Sequence, residues 1–101
     1  MFGGKLKQAR NPYTTFTVLR KLAESKNVKI REAVAANPNV QVHVMEEFAK
    51  DSSPKVRAAL ASNPKLSLKV WTILKEDNDS QVSSVLNENH PTAPEAKSHR
   101  A

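Results

Sequence analysis

Residues 54–64 read PKVRAALASNP, and residues 28–38 read VKIREAVAANP. The two stretches lie 26 positions apart and share a pattern more than a composition. In the first, Val56, Ala59 and Leu60 fall at i, i+3 and i+4, the spacing that gathers side chains on one face of an α-helix. A strand would alternate instead. Ser53 stands just ahead as an N-cap, and Pro54 takes the first helical position, where its missing N–H costs nothing. Asn63-Pro64 closes the segment, because the residue before a proline is pushed out of the helical region. The stretch is a short helix with a defined start and a defined stop.

Working outward, asparagine recurs at 11, 37, 63 and 89, and proline follows directly at 12, 38 and 64, while His90 intervenes before Pro91. Shifting the chain by 26 residues also brings apolar residues into register. Phe16 meets Val42 and Leu68; Val18 meets Val44 and Val70; Leu19 meets Met45 and Trp71; Leu22 meets Phe48 and Leu74. A second block aligns Ile30, Val56 and Val82, then Ala33, Ala59 and Val85, then Val34, Leu60 and Leu86. Asn27, Ser53 and Asp79 share one capping column ahead of that block. Each unit reads as an Asn-Pro turn, a helix A, a short link and a short helix B, with units at 11–36, 37–62 and 63–88. The expected class is all-α, with six core helices near 14–25, 28–36, 41–51, 54–62, 67–77 and 80–88 and no β-sheet. Lys5 to Arg10 fall in the helix B columns, but Gln8 stands where Val34 and Leu60 are apolar, so residues 1–10 read as a basic partial cap. Residues 89–101 keep no apolar stripe and read as a polar tail.

The period is too short for tetratricopeptide, ankyrin or HEAT units. Pro54, Val56, Arg57, Ala59, Leu60, Ala61, Asn63 and Pro64 resemble the pattern of the leucine-rich repeat variant family, and so do Ile30, Arg31, Ala33, Val34, Ala35, Asn37 and Pro38. The third unit is weaker, with Ser83 in the arginine column and Asn87 in a small-residue column. The resemblance implies a right-handed α-solenoid of three two-helix repeats with partial caps. It implies no cofactor, since the cysteine cluster of an iron–sulfur member has no counterpart here, and these units are slightly longer than is usual in the family. The resemblance implies little about activity, since such solenoids are mostly uncharacterised or serve as interaction scaffolds.

Composition narrows the chemistry. The 101 residues contain no cysteine, which removes disulfides, thiolate metal sites and cysteine nucleophiles and makes a cytoplasmic setting the default expectation. No apolar run exceeds four residues, as at Ala33–Ala36, far short of the roughly 20 that cross a bilayer, so no membrane partner is expected. Only two glycines are present, adjacent at 3 and 4, which leaves no phosphate-cradling loop. His43, His90 and His99 lack carboxylates at ligand spacing, and no base, nucleophile and orienting group stand out together. The expectation is a non-enzyme without metal.

Charge is the informative feature. Residues 1–31 carry eight basic side chains against Glu24 alone, a balance of +7, whereas residues 32–101 carry eight basic and nine acidic, a balance of −1. Lys5, Arg31 and Arg57 form one column, and Lys29 and Lys55 form another. With Lys7 and Arg10 these are the candidate residues for an acidic protein partner or, alternatively, for sequence-independent nucleic-acid binding through the basic first third. A competing reading has Arg31 and Arg57 brace the fold by bonding backbone carbonyls or Asp51 and Asp77. Trp71 is expected in the core, and Phe2 could anchor a partner or cover the first helices. Three units is about the minimum for a stable stack, so an exposed C-terminal side around Val70, Ile73 and Val85 leaves room for weak self-association.

Overall fold

The computed structural model describes residues 3–95, which form seven α-helices and no strand. They are α1 (Gly3–Arg10), α2 (Phe16–Leu22), α3 (Val28–Ala35), α4 (Val42–Phe48), α5 (Pro54–Ala61), α6 (Leu68–Lys75) and α7 (Ser80–Asn89). None is long and apolar enough to cross a membrane. The basic cap is thus a helix in its own right. Phe2, His99 and the end of the polar tail lie outside the described residues.

Five of the seven helix starts carry a side-chain cap. Asn27 accepts from the Lys29 and Ile30 N–H groups, Ser53 from Lys55, and Asp79 from Gln81 and Val82. A second capping column, Thr15 and Ser67, accepts from Val18 and Val70, while Gln41 in the same column makes no side-chain bond. The helix A segments are shorter than their periodicity suggests, because i→i+3 bonds such as Glu24 N to Lys21 O and Asp51 N to Phe48 O tighten the chain into the link. By contrast α7 runs on to Asn89.

α1 lies beside α3, α3 beside α5 and α5 beside α7, with α2 against α1 and α3, α4 against α5, and α6 against α5 and α7. The body measures 43 × 34 × 19 Å, its short dimension matching two helices of about 10 Å diameter. The core includes Leu19, Ile30, Val34, Met45, Val56, Leu60, Leu74, Val82 and Leu86, each at most 1% exposed. Val40 and Leu66, just after the turns, join it, although Thr14 in their column hid this from the pattern. One expected core column is corrected: Phe16, Val42 and Leu68 are 51%, 48% and 38% exposed. They are the first residues of their helices, and the packed stripe begins only in the following turn. A second correction concerns the C-terminal side, where Val70 is fully buried and Ile73 and Val85 pack partly against the core.

The Asn-Pro turns do more than stop a helix. Asn37 Oδ1 accepts from the Asn39 N–H at 2.8 Å, while Asn37 Nδ2 donates to Ala9 O at 2.8 Å and to Asn11 O at 2.9 Å. Asn63 repeats this, with Lys65 N at 2.8 Å, Ala35 O at 2.8 Å and Asn37 O at 3.0 Å. Ala9 and Ala35 lie in last helical turns, whose carbonyls have no partner within the helix. Both asparagines are buried, so these bonds satisfy groups that would otherwise cost about 1–3 kcal/mol each.

Candidate interaction surface

Arg31 and Arg57 occupy equivalent environments. Arg31 Nε and Nη2 donate to the two Asp51 carboxylate oxygens at 2.9 and 3.1 Å, and Nη1 donates to Ser25 O at 2.9 Å. Arg57 does the same to Asp77, at 2.7 and 3.4 Å, and to Asp51 O at 2.7 Å. The arginines are only 16% and 19% exposed. Each guanidinium therefore ties one helix A to helix B link to the next. Asp51 feels two opposing influences. Burial raises its carboxyl, but the Arg31 hydrogen bonds, the Ser53 N–H and the charges of Arg31 and Arg57 outweigh that and hold it below the ordinary 3.8.

The lysines are placed differently. Lys5, Lys7, Lys29 and Lys55 are exposed, as is Arg10. Lys29 and Lys55 line one shallow depression of about 410 Å³ across α3, α5 and α7, shared with Glu32 and Gln81. Glu32 Oε2 is buried there and meets no hydrogen-bond donor among the described residues. Lys5 lines a different groove, of about 630 Å³, between α1 and α2. The half-buried Val18 and the buried Leu22 form its apolar part, and Lys21, Glu24, Ser25 and Lys26 line it as well, so two lysines besides Lys5 stand against one carboxylate. The candidate column is thus split, with two arginines engaged by carboxylates and Lys5 alone facing a groove. The sequence drew attention to the charge of Lys21 and Lys26 but not to their convergence on Lys5, which depends on how α2 sits against α1.

At the other end, His90 is half-buried and hydrogen-bonded. Its Nε2 lies 2.9 Å from Asn63 O, as Asn63 Nδ2 lies 3.0 Å from Asn37 O 26 residues earlier, and Trp71 Nε1 donates to His90 O at 3.0 Å. Asn89, next to it, turns its own amide back to Val85 O. Trp71 is accordingly half-buried, with Lys75 Nζ 5.2 Å from its ring centre. His43 is exposed, and no cluster of potential metal ligands occurs among the described residues. No protein-family model, curated protein or solved structure matches the chain.

Proposed function

We propose that this chain is a non-catalytic interaction module, a short right-handed α-solenoid of three 26-residue repeats related to the leucine-rich repeat variants, which binds an acidic protein partner. The recurrence of the asparagine and arginine ties at one interval supports the repeat reading. The observation that carries the functional reading is the exposed positive charge at one end, left over after Arg31 and Arg57 are neutralised by Asp51 and Asp77. Repeat stacks offer extended surfaces suited to a protein partner.

Sequence-independent nucleic-acid binding through the same basic third is the second reading, favoured by the neighbouring exposed Lys29 and Lys55. It is the weaker one, because a phosphate track needs successive free cations. Here two of the seven candidates are paired, and Glu32 shares the depression that Lys29 and Lys55 line. Titration of random-sequence DNA duplex at two salt concentrations tests the choice. The protein-partner reading expects weak binding without a steep salt slope, and tight binding that collapses with salt would overturn it.

A further inference from the structure

The arginine ties form a series with a missing member. Arg31 joins Ser25 O to the Asp51 carboxylate, and Arg57 joins Asp51 O to the Asp77 carboxylate. One interval earlier the cation is Lys5 and the carboxylate position is Ser25. Ser25 does half of what the aspartates do, since its Oγ accepts from the Asn27 N–H at 3.1 Å, as Asp51 Oδ1 accepts from the Ser53 N–H and Asp77 Oδ1 from the Asp79 N–H, both at 2.9 Å. It lacks the second oxygen that would meet the cation. Lys5 makes no ion pair among the described residues. Both residues line the 630 Å³ groove, together with the apolar Val18 and Leu22.

We propose that this groove is the docking site for the acidic partner, and that a partner aspartate or glutamate enters it to supply the missing carboxylate. The proposal rests on the functional reading above and makes it specific. The incoming carboxylate takes the Lys5 ammonium and the Ser25 hydroxyl hydrogen as donors, an apolar neighbour of the acid covers Val18 and Leu22, and Lys21 and Lys26 hold flanking acidic residues. The occupant is a peptide segment combining acidic and apolar side chains. A purely anionic polymer, whether oligoglutamate or a nucleic-acid backbone, would leave Val18 and Leu22 wet, so the apolar part of the groove favours the mixed peptide.

The internal ties supply the test. In Ser25→Asp the chain carries its own carboxylate at the equivalent position, so the variant should melt at a higher temperature and lose the partner site together. A fluorescein-labelled peptide of alternating glutamate and leucine serves as probe, with oligoglutamate and a single-stranded DNA oligonucleotide as competitors, and anisotropy as readout. The parent should bind the glutamate–leucine peptide, Ser25→Asp and Lys5→Ala should weaken it about tenfold or more, and Lys50→Ala, at an exposed lysine outside the groove, should leave it unchanged. Peptide binding that is equal in the parent, Ser25→Asp and Lys5→Ala would overturn the groove while leaving the acidic-partner reading in place. Absence of peptide binding by the parent would overturn both. Displacement of the peptide by the oligonucleotide more readily than by unlabelled peptide would overturn the proposed occupant.

Discussion

Arg57 and Lys55 are two residues apart and stand on opposite sides of a thermodynamic divide. The Arg57 guanidinium satisfies a carboxylate and a carbonyl in a half-buried setting, so Arg57→Ala should cost about 2 kcal/mol, measured by thermal or urea unfolding. Lys55 is exposed and makes no ion pair among the described residues, so Lys55→Ala should change stability by no more than about 0.5 kcal/mol. An Arg57→Ala protein as stable as its parent would return this residue to the pool of ligand contacts. The pH response follows from Asp51. Because its carboxyl is held below 3.8 in the folded state, its stabilising contribution is full at neutral pH and is lost as the pH falls through the folded value. In Arg31→Ala the leading opposition to burial disappears, and carboxyl-carbon NMR should show the Asp51 titration moving upward.

Among the elements, the helix B segments were legible in the sequence and the helix A segments only in part. Asn27, Ser53 and Asp79 announce a start, and the Asn-Pro pair announces a stop, so α3 and α5 lie within a residue of expectation. Helix A lacks such punctuation at its end, and its apolar columns outrun the packed stripe. Periodicity could not tell Phe16, Val42 and Leu68, which open the helices in solvent, from the buried residues behind them. The asparagine ties were hidden for another reason: the bonded carbonyls belong to every sequence alike, and only the packing of α1 beside α3 brings Ala9 O to Asn37. Of the candidate surface, the charge asymmetry was readable, and so was the option that Arg31 and Arg57 bond Asp51, Asp77 and backbone carbonyls, whereas choosing that option over a ligand contact needed the geometry. The caps yield a further expectation. Thr15 and Ser67 bond their helix N-termini and Gln41 does not, so Gln41→Ser should stabilise the protein by about 0.5–1 kcal/mol in thermal unfolding.

On the scale of the whole molecule, the two ends differ in kind. The C-terminal end is finished by His90 and Trp71, which close the last turn against Asn63, while the N-terminal end keeps an open groove and the surplus charge. The bonds that join the interior are all relative: Asn63 reaches back 26 and 28 residues, and Arg57 reaches forward 20, as their counterparts do. Such a bonding rule is indifferent to how many times it is applied. Inserting a second copy of residues 37–62 after the first would give every asparagine and arginine the same partners at the same intervals. The enlarged chain should gain helical circular dichroism in proportion to its length and unfold at a higher temperature, and a loss of stability would show that the ends constrain the middle. If the interval is all that the interior specifies, length becomes a dial that gene duplication can turn in steps of one turn-and-two-helix cassette, with the closing histidine and the groove carried along unaltered on either side of the inserted copies.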